Sequence, residues 1–422
     1  MTFIVLIIVL GIMVLVHEAG HFIPAKIFNV DAPIFSIGFG KRLIGKTFRG
    51  TDYRISLFPF GGYVKMKGMD PGEYSGDKRE FLSKPVWQRI LIIFAGPFSN
   101  FILAFLIIYI VTVGFGTVNL PNAPLSDTRG SDAGALVQGD SIISVNNVQI
   151  DKFNDIYENI DWSRENEITV MRGSEEITLS ITIEDPEEFA LIPRIEPVIG
   201  KVIKGTPAEK SGIREGDKII YIDSVRINDW RDISRELEGK YSEETEIVIL
   251  RNEEMFPMSI VPEKMETMDN DTVAYRGYIG VEYVSMKEYP GLFEGVGMAW
   301  DRMAFLTVSI IKFIGMLFTG NMSMKMVGGP IAIYSMIGQN IQWGMDALLL
   351  FVSFFSLNLC IFNLIPFPPL DGSYILLYAV EGIFRKRATE RFMLIYQQIG
   401  LIILIALIIF VTYNDVMRFI FK

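Results

Sequence analysis

Long runs of apolar residues dominate both ends of the chain. Four of them reach the roughly 20 residues that a helix needs to cross the hydrocarbon core of a bilayer. They cover about residues 2–23, 90–114, 347–366 and 395–413. We therefore expect a polytopic α-helical membrane protein with about four transmembrane helices. A fifth apolar stretch, 296–319, is interrupted by charges and favours an amphipathic helix lying against the membrane or the domain.

Between the first two predicted spans the pattern changes to short runs that are typical of strands. Residues 32–40 and 52–66 contain aromatic and β-branched residues with glycine breaks. We expect hairpins or a small sheet folded back against the membrane. An exposed strand edge there could bind an extended peptide by strand addition, and the alternative is a purely structural loop.

The segment after the second predicted span contains an internal repeat. Residues 139–150 (GDSIISVNNVQI) match residues 216–227 (GDKIIYIDSVRI). The match predicts two tandem β-rich units, the first over about 116–195 and the second over about 196–265.

A further motif distinguishes the second unit. It carries the sequence PAEKSGI at residues 207–213, which resembles a PDZ domain, whereas the first unit has only the shorter stretch 131–135 at this place. PDZ domains bind extended peptides by adding a strand to a sheet edge. We therefore expect two inserted PDZ domains. Around them lie an N-terminal membrane half (1–115), a linker with amphipathic helices (266–345) and a C-terminal membrane half (346–422).

Composition agrees with a protein that has both membrane and soluble parts. Of the 422 residues, 50% are hydrophobic and 21% are charged. The net charge of −10 and the lack of a basic arm argue against binding of nucleic acid. The single cysteine, Cys360, excludes an intrachain disulfide and a zinc site built from cysteines.

The loop charges predict an orientation. Basic residues outnumber acidic ones between Pro24 and Arg89 and dominate the turn 385–387, whereas the long segment 115–295 is acidic. By the positive-inside rule the two basic loops are cytoplasmic, and the long segment and both termini lie outside. The first apolar run has no basic residue before it and no small-residue cleavage site, so we expect a retained helix instead of a signal peptide.

The motif His17-Glu18-Ala-Gly-His21 stands at the end of the first predicted span, and these two histidines are the only ones in the chain. Residues i and i+4 share one face of a helix, so both imidazoles can bind one zinc ion, with Glu18 beside them as a general base. The alternative is a pair of surface histidines where a helix leaves the bilayer.

A hydrolytic zinc site usually has three protein ligands and an open position for water. With no further histidine and no suitable cysteine, the third ligand must be a carboxylate. Asp301 and Asp346 are possible, but Asp371 follows a proline-broken membrane segment on the expected side. A lone intramembrane aspartate is costly unless it has a partner such as zinc.

Two asparagines in the apolar segments are further candidates. Asn100 is an amide in the second span that needs a partner, either in the site or in helix packing. Asn363 could stabilise an oxyanion as a hydrogen-bond donor, or it could cap the helix that ends near Pro366.

The set of motifs resembles the site-2 protease family of intramembrane zinc metalloproteases. H-E-x-G-H, Gly96-Pro97-x-x-Asn100, the PDZ-like units and Asn-x-x-Pro-x-Pro-x-Leu-Asp-Gly at 363–372 occur in order over essentially the whole chain. The likeness is greatest to the bacterial branch of the regulator of sigma-E protease type, which carries tandem PDZ domains.

The resemblance implies a mechanism and a location. It implies that His17, His21 and Asp371 bind Zn²⁺, that Glu18 is the base and that Asn363 helps to hold substrate. The protein would be a multi-pass protein of the bacterial inner membrane, with its active site toward the cytoplasm and its PDZ domains outside. Its partners would be single-span membrane proteins already trimmed by another protease, such as anti-sigma factors, or remnant signal peptides.

Two other functions stay open at this level. One is a quality-control metalloprotease with a cytosol-facing site, a class that usually takes a later glutamate as third ligand. The other is a membrane scaffold without enzymatic activity that gathers partners through PDZ domains, which leaves His17, Glu18 and His21 unexplained.

Overall fold

The computed structural model describes residues 2–69, 71–129, 135–183, 189–269, 272–319 and 328–420. The chain divides into two compact units. The membrane unit comprises Met1–Phe115 together with Pro290–Lys422, and the inserted unit comprises Gly116–Tyr289. Of the stretch 131–135, which departs from the PDZ pattern, residues 131–134 lie outside the described residues.

The elements follow the apolar pattern of the sequence. The membrane unit begins with α1 (Thr2–Ile27), β1 (Ile34–Phe48), β2 (Thr51–Lys65) and α2 (Val86–Phe115). The first half of the inserted unit contains β3 (Thr117–Asn119), β4 (Leu125–Arg129), β5 (Ser141–Val145), β6 (Val148–Gln149), α3 (Asp155–Asn159), β7 (Glu165–Arg172), β8 (Glu175–Thr182) and β9 (Ala190–Pro193). Its second half contains β10 (Ile199–Val202), α4 (Pro207–Ser211), β11 (Lys218–Ile222), β12 (Val225–Arg226), α5 (Trp230–Glu236), β13 (Thr245–Arg251), β14 (Glu254–Ile260), β15 (Glu263–Asp269), β16 (Thr272–Tyr278), β17 (Val281–Tyr283) and β18 (Met286–Glu288). The chain then returns to the membrane unit with α6 (Leu292–Thr319), α7 (Pro330–Trp343), α8 (Met345–Leu364), α9 (Asp371–Phe384) and α10 (Glu390–Ile420).

Four helices of the described chain are long and apolar enough to cross a membrane, which confirms the predicted number. They are Thr2–Ile27, Val86–Phe115, Met345–Leu364 and Glu390–Met417. The first helix continues past its predicted end at residue 23, although Pro24 lies inside it. Its last turn is held by Ala25, which is fully buried against residues of α2 and α9. The third ends two residues before Pro366.

Helix α2 is the centre of the membrane unit. It contacts α1, α6, α8 and α9. Near the start of α2, Ile92 and Ile93 are buried against the end of α1 and against α9. Farther along, Ala104 and Ile108 pack against the buried residues of α6. The stretch 296–319 thus forms a helix as predicted, and its placement flat on the membrane stays a prediction.

The hairpin of β1 and β2 is more elaborate than the two predicted runs. Residues 34–37 pair with 62–65 on one side and with 52–55 on the other, and 44–48 pair with 51–55. Each strand therefore bends and contributes two segments to one small sheet. The bend needs a tight turn at Arg49–Gly50, where both residues have positive φ angles. The segment 62–65 forms one edge of this sheet.

The two repeated sequences fold into sheets with the same strand order, β6-β5-β7-β8 and β12-β11-β13-β14. The Gly-Asp pair has the same role in both. Asp140 accepts two hydrogen bonds of 2.8 Å from Arg172, and Asp217 accepts two of 2.7 Å from Arg251. Both carboxylates are almost completely buried, and a charge in that position requires such a partner. The assignment of these units as PDZ domains stays a prediction.

Candidate metal centre

The two histidines of the motif lie one turn apart on the same face of α1. Their Nε2 atoms are 3.3 Å apart, and the two rings meet edge to face with their centroids 4.8 Å apart. Both side chains are largely buried, with 12% of His17 and 8% of His21 exposed. This is the arrangement expected from the i, i+4 spacing, and it turns two lone pairs toward a common point.

Asp371 faces this point from α9. Its Oδ2 atom lies 3.2 Å from His17 Nε2 and 3.4 Å from His21 Nε2. Among the described residues, these three form the cluster of side chains that could hold a metal ion. Asp301 and Asp346, the alternative carboxylates, are not members of it.

The spacing of the three atoms fits zinc. Zinc–ligand bonds of about 2.0–2.1 Å in a tetrahedron place neighbouring ligand atoms roughly 3.3 Å apart. The three measured separations are 3.2, 3.3 and 3.4 Å. The Oδ2 atom of Asp371 is also buried without a hydrogen bond within the described chain. The donor set of two imidazoles and a carboxylate is one that zinc accepts, and it leaves a fourth position for water or substrate.

The outer nitrogen of His21 has the partner that a zinc ligand requires. Its Nδ1–H donates to the carbonyl oxygen of Ile92 over 2.9 Å. That bond fixes the proton on Nδ1 and leaves the lone pair of Nε2 for a metal ion.

The outer nitrogen of His17 faces Asn100, whose Nδ2 lies 3.4 Å from His17 Nδ1. Asn100 is completely buried, and its Oδ1 has no hydrogen bond among the described residues. Exchanging the two ends of the amide would direct this oxygen at the Nδ1–H of a zinc-binding His17. Asn100 is therefore in the site, and its contact with substrate stays a prediction.

Asn363 lies in the last turn of α8, half-buried. Within the described residues it makes no capping hydrogen bond, and the amide of Ile365 closes the helix by bonding to Phe362 instead. The helix-cap alternative therefore has no support in the geometry. Its role toward substrate stays a prediction.

Small residues allow α1 and α2 to approach closely enough to build the site. A Cβ atom on Gly96 would collide with the imidazole of His21, and one on Gly20 would collide with the carbonyl oxygen of Ala95. Ser99 adds a hydrogen bond of 2.8 Å to the carbonyl oxygen of Val16, the residue before His17. The absence of a side chain at Gly96 thus leaves the space that the imidazole of His21 occupies.

Asp371 is positioned from both ends of α9. At the N-terminal end, a Cβ atom on Gly372 would collide with the carbonyl oxygens of Leu364 and Ile365, so only glycine permits this tight approach to the end of α8. Near the other end, the buried Arg89 of α2 holds Glu381 through two hydrogen bonds of 2.9 Å. A bidentate ion pair of this kind fixes orientation as well as distance.

Glu18 is partly buried next to the cluster of His17, His21 and Asp371, and it faces the small sheet. A Cβ atom on Gly62, in the edge segment of β2, would lie 3.2 Å from Glu18 Cγ and 2.8 Å from Val14 Cγ1. The sheet edge therefore passes directly over the first helix at the residue predicted to be the base. Sequence patterns predicted both elements, but only the bend of the strands brings them together.

The chain is similar to known peptidases over nearly its whole length. The model of peptidase family M50 matches residues 5–407. The regulator of sigma E protease of Haemophilus influenzae is 29% identical over 98% of both chains. Protease RseP of Yersinia pestis is 28% identical over 98% of this chain and 97% of its own. A protein of Pasteurella multocida whose name marks it as a predicted zinc metalloprotease is 31% identical over 98% of both chains.

Replacing Asp371 by Asn should weaken zinc binding by more than about a hundredfold, because even the partners of metal ligands contribute 10–100-fold to affinity. Zinc affinity is measured on the purified chain by competition with a chelator. The matched control is Asp346→Asn, a carboxylate outside the cluster, which should keep the zinc affinity of the unmodified protein. Unchanged affinity in Asp371→Asn would contradict the assignment of the third ligand.

Proposed function

The chain belongs to peptidase family M50, and we propose that this metalloprotease hydrolyses peptide bonds within the transmembrane segments of single-span membrane proteins. The convergence of His17, His21 and Asp371 beside Glu18 carries the proposal. The two histidines lie on α1, which is an apolar span, and Asp371 lies shortly after the end of α8, which is another. A peptidase site at such a place suits substrates that are themselves embedded in the membrane.

In this proposal His17, His21 and Asp371 hold a zinc ion. When bound, zinc supplies a Lewis acid that lowers the pKa of water to about 7 and polarises a carbonyl oxygen. The Glu18 carboxylate accepts a proton from the attacking water and donates it to the leaving amine. Asn363 donates a hydrogen bond to the oxyanion or to the neighbouring substrate backbone. Asn100 acts through His17 by fixing the orientation of its ring.

Replacing Glu18 by Gln should lower the rate of cleavage by about 10²–10⁴-fold, the usual contribution of general acid–base catalysis. Cleavage of a single-span reporter is measured in reconstituted vesicles. Zinc content and reporter binding should not change, because the amide keeps the size of the side chain and no proposed ligand is altered. The control is Glu175→Gln, an exposed residue of the inserted unit.

Cleavage by Glu18→Gln at the rate of the unmodified protein would contradict the assignment of Glu18 as the base. A scaffold without enzymatic activity predicts the same reporter binding with no cleavage in either protein. A quality-control peptidase with a cytosol-facing site predicts that soluble unfolded proteins are cut as fast as the reporter.

The edge segment of β2 is the proposed receiver of the substrate. A peptide bond in a helix is hydrogen-bonded and shielded, so the substrate must unwind before it is cut. An edge strand offers unpaired backbone groups to an extended chain. The closeness of Gly62 to Glu18 would put such a chain next to the proposed base.

A cysteine cross-link tests this placement. In a chain that also carries Cys360→Ser and Glu18→Gln, Tyr63→Cys in the edge segment should form a disulfide with a reporter that has a cysteine near its cleavage site. Lys46→Cys lies on the opposite arm of the sheet and serves as the control. Equal cross-linking at both positions, measured on a non-reducing gel, would contradict strand addition at this edge.

The proposed orientation puts the site toward the cytoplasm of a bacterial inner membrane and the inserted unit outside. The support is the distribution of charge, with basic residues dominating the loop that contains the sheet and acidic residues dominating 116–289.

In spheroplasts, a membrane-impermeant maleimide should label Glu175→Cys directly. It should label Lys46→Cys only after the membrane has been permeabilised. Both residues are exposed, so that access to the reagent depends on the side of the membrane. The opposite pattern would reverse the orientation.

The inserted unit is the proposed size filter. Two repeated β units outside the membrane would hinder substrates with a large outer domain and admit those that another protease has trimmed. Anti-sigma factors and remnant signal peptides are the proposed substrate classes. The name of the Haemophilus influenzae relative refers to regulation of sigma E.

A reporter with its outer domain removed should be cut faster than the same reporter at full length. The rates are compared in vesicles at equal reporter density. Equal rates would contradict the filter and leave the peptidase activity itself unaffected.

A further inference from the structure

A basic cavity lies beside the C-terminal end of α1, and none of its lining residues belongs to the cluster of His17, His21 and Asp371. It has a volume of about 440 Å³ and is lined by side chains from several chain segments. They are Lys26, Asp31, Pro33, Arg49, Gly50, Lys67 and Arg79. Four cations and one carboxylate give this cavity a net positive charge in a chain whose total charge is −10.

Hydrogen bonds hold the walls of the cavity together. Arg79 forms an ion pair of 2.8 Å with Asp31, and the amide of Lys67 donates to the carbonyl oxygen of Asp31 over 2.7 Å. The turn that carries Arg49 is fixed by the hydroxyl of Thr51, which donates to the carbonyl oxygen of Ala32 over 2.7 Å. The cavity is therefore formed before any ligand arrives.

Two of the four cations are not neutralised. Lys67 and Arg79 have carboxylate partners. Lys26 and Arg49 have none within ion-pair distance among the described residues, and each lies over an aromatic ring at 5.3 Å instead. These two side chains are the ones available to an anionic ligand.

The surroundings of these two cations are apolar and exposed. Lys26 lies in the last turn of the α1 span, between Ile23 and Ile27, whose side chains are 56% and 67% exposed. Arg49 follows Phe48, which is also 56% exposed. Long basic side chains at the end of a span keep their charge at the membrane surface while apolar neighbours contact lipid.

Aromatic residues of the kind found at membrane surfaces lie at the start of α2, next to the end of α1 that carries Lys26. Trp87, in the first turn of the α2 span, is 56% exposed and packs edge to face on Phe28, the residue after α1. Tryptophan at a helix end is typical of the membrane–water boundary. In a bilayer crossed by α1 and α2, the cavity would open at the level of the lipid phosphates.

We propose that this cavity binds the phosphate group of an anionic membrane phospholipid, with Lys26 and Arg49 as its principal contacts. Basic pockets between helix ends at the membrane surface are suited to anionic headgroups. The lipid would hold the base of the small sheet against the end of α1, and so stabilise the arm that reaches Glu18. The proposal depends on membrane embedding and not on peptide hydrolysis, so its failure would leave the proposed function intact.

The test measures retention of phosphatidylglycerol and of phosphatidylcholine by the purified full chain, using native mass spectrometry. The double variant Lys26→Gln/Arg49→Gln should bind phosphatidylglycerol about 25-fold more weakly, since each cation near an anionic surface contributes about five-fold. The control Lys41→Gln/Lys46→Gln removes the same charge from exposed positions of the sheet and should bind normally. The variant Lys26→Arg/Arg49→Lys keeps both charges and should retain binding, which separates charge from folding.

Three results would overturn the proposal. The first is equal phosphatidylglycerol binding by the two glutamine double variants. The second is complete displacement of the lipid by millimolar glycerol phosphate, which would identify a site for soluble phosphates. The third is that Lys26→Gln/Arg49→Gln binds the lipid as the unmodified protein does but no longer binds a glutamate-rich peptide. That result would identify a site for acidic protein segments.

Discussion

The structure depends on keeping three polar ligand atoms at one point among apolar helices. A carboxylate in such surroundings is costly without a partner. The separations of 3.2–3.4 Å among His17, His21 and Asp371 match the edges of a zinc coordination tetrahedron. A bound cation would therefore supply both the compensation for burial and the chemistry. Metal binding would then join Asp371 of α9 to the two histidines of α1.

Glycines and one ion pair in the membrane unit allow the helices to approach closely enough to bring His17, His21 and Asp371 together. Gly20 and Gly96 remove the side chains that would separate α1 from α2, and Gly372 does the same between α8 and α9. The ion pair of Arg89 with Glu381 then anchors the far part of α9 on α2. The three ligand atoms are thus positioned by α1, α2, α9 and the irregular segment between α8 and α9. Helix α2 has no proposed metal ligand of its own, but it supports both of the helices that carry them.

The sequence was sufficient for the spans and for the candidate ligands, because apolar runs and the H-E-x-x-H spacing are local signals. It predicted Asp371 by elimination and by resemblance, and the structure brings it to the histidines. It did not predict Arg89 with Glu381, the bond from Ser99 to Val16, or the passage of Gly62 over Glu18. Those contacts join residues that are far apart in the chain, and no periodicity encodes them. The bend of the small sheet was missed for the same reason, since its register depends on a turn at Arg49–Gly50 within what reads as a loop.

The coordination of zinc itself is the most direct test of the account. X-ray absorption at the zinc edge, measured on the zinc-loaded full chain, should give two imidazole nitrogens and oxygen ligands at about 2.0–2.1 Å with no sulfur. The chain has only two histidines, so two imidazoles can come only from His17 and His21. A spectrum with a single imidazole, with a sulfur ligand, or with six oxygen ligands would contradict the central claim.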